Sequence, residues 1–521
     1  MKYLFSSRLA LFSSILLMLA AGVSCKRQEN QATATPPSEK HVTVALDGNP
    51  TTFDPVQMNE VLSATVGNAI HAPLMRIDSQ GKLVPVLADS IVMAADGLNA
   101  TISLHPGATF WDGSPVTAAD VEFSLQRLEN SSSPLKWICD RISGFEQKSD
   151  LELVVKFAKP DPDFLRLIAN LQASIVKTGS DKLPKKPFAS QIVGAGAFMP
   201  VDDKLQPSVE FTMKANLGFP RRGNVDLLTF AINPDPQNQF EAFRSGKVDF
   251  LRLRGPALGE TCVLGVDGSL QPRPEFSAGK IIQSPASELV FMVLNYSNPK
   301  LADISTNERS ALIAALSVKV QRDPLIKSLY LGMADPAVGV VPPSMLSGAQ
   351  TAPAAPADFK LQPARKLVLL AANDPSSREL ATFLQPQFRD LGLDFDVQFV
   401  ELPKLAEDII KHDYEAAGLW FEMPVAGIGP WAMFFEESNP FSVFGQGLPA
   451  IKEKVEAARG ILDAEARNRA YADAVADINN RQQAWLPIIS RHTVLLVNKK
   501  VSGVLLDICG TPIWSSLNVN E

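Results

Sequence analysis

The sequence predicts an α/β fold built on a parallel sheet. Three observations lead to this prediction: a strand pattern at residues 41–46, a well-marked helix start near residue 117, and an alternation of strands and helices after residue 365. Strands and helices that follow one another in turn imply a parallel sheet with right-handed crossovers.

The first half of the chain contains the strand pattern and the helix start. In HVTVAL (41–46) the residues alternate as in a strand, and residues 97–113 predict a strand, a Pro-Gly turn and a short second strand. A helix is expected after Thr117, its N-cap, with Asp120 three residues on in a form of the capping box. Three apolar residues then follow at the spacing of one buried helical face: Val121, Leu125 and Leu128.

The second half of the chain contains the alternation. The apolar run KLVLLAAND (366–374) is typical of a buried strand, and Gly392 is expected to end the helix that follows it. The predicted elements are a strand over 366–374, a helix over 377–391, a strand over 395–399, a helix over 403–412 and a strand over 414–421. An Ala-rich stretch over 451–483 predicts further helix, interrupted near Gly460.

Composition limits the class of protein. The chain has 521 residues, of which 46% are hydrophobic and 20% charged, and its formal net charge is -7. Ordinary globular composition at this length predicts two to four domains, at roughly 100–200 residues per domain. The acidic balance argues against a nucleic-acid partner, which would call for a basic surface.

The N-terminal sequence predicts that the protein is exported from the cytoplasm. Lys2 and Arg8 precede an apolar run over 9–23, which is typical of a signal peptide over 1–24. Small residues then lead into Cys25, an arrangement that resembles a bacterial lipoprotein cleavage site, and a polar tether extends to residue 40. Cys25 is therefore the predicted lipid anchor. The alternative is a plain secretory signal with an incidental cysteine.

Motifs for catalysis or metal binding are not found in the sequence. The five histidines are scattered, and neither a zinc-binding spacing, a G-x-S-x-G elbow nor a Walker loop occurs. Gly194-Ala195-Gly196 lacks the third glycine and following helix of a phosphate loop, and predicts a turn instead. We therefore predict no catalytic residue, no metal and no cofactor. The cysteines beyond Cys25 leave room for one disulfide, whose pairing the sequence does not determine.

An ordered set of residues over 81–128 carries a resemblance to a known family. The matching positions are Pro85, Leu87-Ala88, Asp96-Gly97, Asp112-Gly113, Pro115, Thr117-Ala118 and Asp120-Val121. With FDP at 53–55, VGAGAF at 193–198 and FEAFRSGKVDF at 240–250, they resemble the oligopeptide- and dipeptide-binding proteins of solute-binding family 5. The resemblance extends over about residues 41–515.

The resemblance implies a periplasmic-binding-protein-like fold of type II, cluster C: two lobes joined by a hinge, plus an inserted domain. It places the lobes and the insert as follows: lobe I at 41–70, 190–283 and 495–521, the inserted domain at 71–189, and lobe III at 284–494. Hinge strands are expected near 284–294 and 488–497. The family delivers solutes to ABC importer permeases after lobe closure, and we expect a monomer.

Site residues follow from the same resemblance. Peptide-binding members use an Asp in a GW..DY.DP motif to hold the ligand's ammonium, and Glu422 falls on that position, while Val425-Ala426 replace the later Asp-Pro. Four further ligand contacts are predicted: Trp420, Asn59, Glu60 and Trp431. The bound solute is expected to be a peptide or a peptide-like molecule.

Three alternatives stay open at this point. The same fold would also suit a non-peptide solute such as an opine, a saccharide or a metal chelate, although scattered histidines argue against direct nickel binding. A surface sensor or adhesin would use the fold without transport. An extracellular hydrolase is disfavoured by the missing nucleophile and metal motifs.

Overall fold

The structure is a computed structural model. It describes residues 39–58, 60–133, 135–180, 193–201, 209–342, 345, 354–356, 358–422, 451–481 and 483–520, with only the backbone for 419–422 and 481. Cys25 and the predicted signal peptide over 1–24 lie outside these residues. Residues 40–521 form one compact unit.

The strands, in chain order, are β1 His41–Leu46, β2 Met75–Ile77, β3 Leu83–Pro85, β4 Ala88–Met93, β5 Asn99–Leu104, β6 Ile142–Ser149, β7 Glu152–Phe157, β8 Phe198–Pro200, β9 Glu210–Ala215, β10 Leu227–Ile232, β11 Phe250–Leu253, β12 Cys262–Leu264, β13 Leu270–Pro272, β14 Gly279–Leu294, β15 Ala334–Pro336, β16 Arg365–Ala372, β17 Leu393–Val400, β18 Ala416–Glu422, β19 Trp485–Asn498, β20 Val501–Ser502 and β21 Asn518–Val519.

The helices are α1 Val61–Ile70, α2 Ala118–Glu129, α3 Phe164–Leu167, α4 Pro236–Arg244, α5 Pro256–Thr261, α6 Thr306–Lys319, α7 Arg322–Tyr330, α8 Pro375–Arg389, α9 Leu402–Ile410, α10 Ile451–Arg459 and α11 Ala464–Arg481. Within the part of the chain that the structure describes, no helix is both long and apolar enough to span a bilayer.

A mixed sheet organises the molecule. Eleven strands of the described residues join it, in the order β17-β16-β18-β14-β19-β11-β1-β10-β9-β8, with β15 paired to β19. β16 runs parallel to β17 and β18, and β1 runs parallel to β10 and β11, so the predicted parallel sheet is confirmed in these portions. The antiparallel strands between them were not predicted from the alternation, which reports only on neighbouring elements.

Two long antiparallel strands connect the parallel portions. β14 and β19 pair from Gly279 opposite Asn498 to Val293 opposite Trp485, with register shifts between Gln283 and Phe291. The segments predicted as hinge strands fall within these two strands. Residues 286–294 are buried, so both strands cross the core of the molecule.

A second, four-stranded sheet lies within residues 88–157. Its order is β4-β5-β7-β6, and α2 packs against it. The predicted capping box is confirmed, because the Thr117 amide donates to the Asp120 carboxylate at 2.9 Å. The three apolar residues of the predicted face are buried, as expected for packing on a sheet: Val121, Leu125 and Leu128. We refer to residues 71–189, which include this sheet, as the inserted segment.

The helices near the C-terminus match the expected pattern. α8 ends before Gly392, whose φ of +81° suits a residue without a side chain, and α9 follows β17 as predicted. α10 and α11 are separated at Gly460, the position where the sequence predicts an interruption. We refer to α10 and α11 together as the helical pair.

Candidate solute-binding cleft

The side chains that line the candidate cleft come from the middle strands of the large sheet. Arg252 on β11 and Arg254 just after it are two residues apart, so the pleat places both on one face of the sheet. The Arg252 guanidinium donates to the Thr493 hydroxyl on β19 at 3.4 Å. Arg254 lies 3.5 Å from the Asp47 carboxylate, which follows β1. Three strands therefore bring two cations and their polar neighbours to one place.

A cavity of about 570 Å³, which includes open solvent, lies beside these arginines. Its wall combines the strand ends with the first turn of α1 and the buried indole of Trp514. Its lining residues include Asp47, Val61, Leu62, Thr65, Gln239, Phe250, Arg252, Arg254, Thr493 and Trp514. An apolar wall with a few charged groups is the usual composition of a small-molecule site.

A buried ion pair joins β14 to β19 close to this cavity. Arg491 Nη2 lies 2.5 Å from Glu288 Oε1, and both side chains are more than nine-tenths buried. Arg491 Nη1 also donates to the Ser376 hydroxyl in the first turn of α8 at 3.0 Å. Burial raises the pKa of the Glu288 carboxyl, but the charges of Arg491, Arg254 and Arg252 outweigh it and leave that pKa below its ordinary value. Glu288 is therefore ionised at neutral pH.

A second cavity, also of about 570 Å³ including open solvent, lies between the sheet and α8. It is mostly apolar, and Ser376 and Arg491 are among its few polar residues. The apolar lining includes Val290, Met292, Leu369, Ala371, Leu380, Leu384, Phe388, Phe395 and Ile488. Arg491 lines this cavity, and the positive charge of Arg254 in the first cavity acts on its partner Glu288.

Four of the residues predicted to contact the ligand have side chains outside the described part of the chain. Glu422 lies at the end of β18, where its backbone is in register opposite Glu288, and Trp420 is opposite Val290. The side chains of both residues lie outside the described part of the structure. Asn59 and Trp431 lie wholly outside it. Their roles as ligand contacts therefore stay predictions.

Glu60 has a local structural role. Its carboxylate caps α1 by accepting from the amides of Leu62 at 2.6 Å and Ser63 at 2.7 Å, and a longer contact reaches the Thr51 amide at 3.3 Å. These contacts satisfy the free amides of the first helical turn. Leu62, two residues on, lines the first cavity, so Glu60 lies beside the cleft; its contact with a ligand stays a prediction.

Sequence reasoning missed the residues that define the cleft. Arg252 and Arg254 alternate with leucines in LRLR after the predicted SGKVDF motif, and this period-two pattern is a signal that two charges share one face. Glu288 and Arg491 lie in apolar strands that are 203 residues apart in the chain, so their pairing had no local signal. In the described residues, no group of three or more His, Cys, Asp and Glu side chains could hold a metal ion. Cys139, Cys262 and Cys509 are buried thiols.

Comparison with known proteins identifies the class. Residues 82–439 match the family described as bacterial extracellular solute-binding proteins, family 5, middle region. The match covers more than half of the chain, so the chain belongs to this family of extracytoplasmic solute-binding receptors. The predicted family and fold class are therefore confirmed.

Individual relatives are distant but match over nearly the whole length. The glutathione-binding protein GsiB of Salmonella paratyphi A is 23% identical over 501 residues, covering 89% of this chain and 91% of that protein. The ABC transporter substrate-binding protein CtaP of Listeria monocytogenes has a TM-score of 0.76 at 19% identity, covering 93% of this chain and all of that one. The murein tripeptide-binding protein MppA of Escherichia coli has a TM-score of 0.76 at 17% identity, with coverage of 93% and 99%.

Proposed function

We propose that the protein captures a peptide or peptide-like solute between two closing lobes and delivers it to an ABC importer. The observation that carries this proposal is the charged cleft on the middle strands, where Arg252 and Arg254 lie beside an open cavity. The names of its relatives point the same way, since GsiB is described as glutathione-binding and MppA as murein tripeptide-binding.

In this proposal the arginines bind the solute's carboxylate. A guanidinium presents paired N–H donors that match the two oxygens of a carboxylate, and such charge-assisted bonds contribute about 1.5–3 kcal/mol each. Glu422, whose backbone is opposite Glu288, would hold the solute's ammonium group. A zwitterionic solute would thus be oriented between a basic and an acidic part of the cleft.

Closure requires the domain organisation that the sequence predicts. Lobe I would comprise 41–70, 190–283 and 495–521, and lobe III would comprise 284–494, with 71–189 inserted between parts of lobe I. β14 and β19 would then be the hinge strands, and their register shifts between Gln283 and Phe291 would provide the local irregularity for bending. The closed form would dock as a monomer on the permease.

The binding proposal is tested with probes whose charge is blocked. Reduced glutathione and trialanine, but not glutathione diethyl ester or trialanine amide, should raise the midpoint of thermal unfolding, by an amount that grows with the logarithm of ligand concentration over Kd. Arg254→Gln should weaken binding at least tenfold, and Arg469→Gln, an exposed arginine on α11, should not. The peptide proposal fails if neither these probes nor an extract of host peptides stabilises the protein.

Glu422→Gln distinguishes a peptide from a neutral solute such as a saccharide. A peptide binder should lose most of its affinity because the ammonium loses its counter-ion, whereas a saccharide binder should retain it. Glu465→Gln is the matched control, since Glu465 is an exposed carboxylate on α11. Equal affinity of Glu422→Gln and wild type for a peptide would remove Glu422 from the site.

The membrane anchor is a separate proposal. Cleavage before Cys25 and lipidation of its thiol would hold the receptor at the outer side of a bacterial membrane. Cys25→Ser should release the protein into the soluble extracytoplasmic fraction, and mass spectrometry of the wild-type N-terminal peptide should show the added acyl mass. A wild-type N-terminus without acyl mass would contradict lipidation and favour a plain secretory signal.

A further inference from the structure

The inserted segment and the helical pair meet through a buried arginine. Arg459, the last residue of α10, is fully buried, and its Nε and Nη2 donate to the Asp161 carboxylate at 2.9 and 2.5 Å. Its Nη1 donates to Asp140 at 2.8 Å, and its guanidinium lies 5.2 Å from the ring centre of Trp137. It also donates to the carbonyl of Ile138 at 3.0 Å. One side chain of the helical pair thus contacts four residues of the inserted segment.

Ion pairs of both polarities surround this arginine. Arg141 of the inserted segment donates to the Glu456 carboxylate at 2.7 Å and to the Glu456 carbonyl at 2.6 Å. In the opposite sense, Arg467 of α11 donates to Asp163 at 3.0 Å. The Tyr471 hydroxyl donates to the same carboxylate at 2.6 Å. The contact is therefore polar and complementary in charge.

The two sides of this contact are attached to different parts of the molecule. In the inserted segment, the amides of Thr109 and Trp111 donate to the carbonyls of Gly218 and Gly194, at 3.2 and 3.1 Å. The helical pair is attached to the other part through Asn479, whose side chain accepts from the Val340 amide at 2.9 Å. β14 and β19 also connect these parts. The arginine contact therefore spans the two regions that the proposed closure would bring together.

The chemistry of this contact suits repeated opening. Separating it exposes charged groups, which water solvates well, whereas separating an apolar interface of the same size would be costly. Burial raises the pKa of the Asp161 carboxyl above its ordinary value, and the opposing effect of Arg459 does not restore it. At the edge of the contact, Leu462 lies beside Gly97 and is 51% exposed.

We propose that Arg459 and its carboxylate partners Asp161 and Asp140 form a latch that opens and closes with the solute cleft. The latch sets the solute affinity without touching the solute, because it changes the fraction of molecules that are closed. This inference rests on the lobe closure of the proposed function. It assigns a positioning role to residues of the inserted segment and the helical pair.

Single-molecule energy transfer between the two sides tests the latch without any solute. Dyes are attached to Val92→Cys in the inserted segment and Asn468→Cys in the helical pair, both exposed, in a Cys25→Ser chain whose other cysteines are buried. The otherwise unchanged chain should show two interconverting populations. Arg459→Gln should raise the low-transfer population at least threefold. Arg459→Lys should give an intermediate low-transfer population, because lysine keeps the positive charge but lacks the paired N–H donors of the guanidinium.

Two further variants keep the test decisive. Tyr471→Phe removes one hydroxyl at the edge of the contact and should shift the populations slightly in the same direction, even if Arg459→Gln fails to fold. Arg469→Gln on α11 should leave them unchanged. A single population in the chain with an intact latch overturns the proposal. Equal population distributions in that chain, in Arg459→Gln and in Tyr471→Phe also overturn it. If solute probes bind in that case, the proposed function stands and the latch fails. If two populations occur and no solute probe binds, the latch stands and the proposed function fails.

Discussion

Two buried arginines hold the molecule together in different ways. Arg491 pairs with Glu288 across neighbouring strands of one sheet, and Arg459 pairs with Asp161 across the contact between the helical pair and the inserted segment. In the sheet, three guanidiniums act on one carboxylate, and the pKa of Glu288 is lowered. At the contact, burial prevails, and the pKa of Asp161 is raised.

In the proposed latch, burial and pairing do not by themselves make an ion pair permanent. Glu288 is only 3% exposed and lies on a strand that is paired on both sides, so its charge is compensated mainly by protein groups. The two sides of the Arg459 contact belong to separately attached segments, so separation would hydrate both partners.

The largest expected effect is from breaking the pair within the sheet. Arg491→Met leaves Glu288 buried without its main counter-ion, which should lower the free energy of unfolding by about 3–5 kcal/mol. Urea denaturation followed by circular dichroism measures this loss. The double variant Glu288→Gln/Arg491→Met should recover part of it, because no charge is then buried. If Arg491→Met loses less unfolding free energy than Arg459→Met, the order of the two pairs in this comparison is wrong.

Breaking the pair at the contact should cost less. Arg459→Met should lower the free energy of unfolding by about 1.5–3 kcal/mol, the contribution of hydrogen bonds to a charged group, because Asp161 regains water when the contact opens. The same urea titration measures it. A loss equal to that of Arg491→Met would mean that the contact cannot open, which would contradict the latch.

The two carboxylates should respond to pH in opposite directions. The lowered pKa of Glu288 contributes stability that is present above its ordinary pKa and is lost as the pH falls through the folded value. The raised pKa of Asp161 contributes stability that is present below its ordinary pKa and is lost as the pH rises through the folded value.

Stability measured from about pH 6 to about pH 3 should separate these effects. The advantage of wild type over Glu288→Gln should shrink as the pH falls, whereas its advantage over Asp161→Asn should grow. Advantages that change in the same direction for both variants would remove the electrostatic distinction between the pairs.

The smallest effect is expected at the surface. Arg469 and Glu465 form an exposed pair within α11, at 3.6 Å. Such pairs contribute little because water and salt screen them. Arg469→Gln should leave the urea midpoint unchanged within error. A measurable decrease in that midpoint would show that the exposure of an ion pair does not predict its contribution to stability.

Local patterns predicted local structure well. The Thr117 capping box, the interruption at Gly460 and the parallel strands β16 to β18 all follow from spacing within a few residues. The antiparallel pairing of β14 with β19 had no such signal, because it joins segments about 200 residues apart. The fold class was therefore predictable, and the arrangement of the middle strands was not.

The site shows the same limit more sharply. Glu422 was placed by resemblance, and its backbone lies next to the charged cluster in register with Glu288. Arg459 and Asp161 are 298 residues apart, so no periodicity connects them. Pairing between residues so far apart in sequence depends on how helices and strands pack against one another. A short stretch of sequence carries no signal for that packing.

One glycine offers a way to keep the proposed lobes in the open state. Gly255 has a φ of +48°, and a Cβ there would lie 2.8 Å from the Cβ of Ser376 at the start of α8. A bulky side chain at this position would act as a wedge between the segment that follows β11 and α8, which line the two cavities. Under the proposed closure, a protein wedged in this way would keep both charged clusters and fail to retain its solute, which makes position 255 a natural choice for building an inert version of this protein.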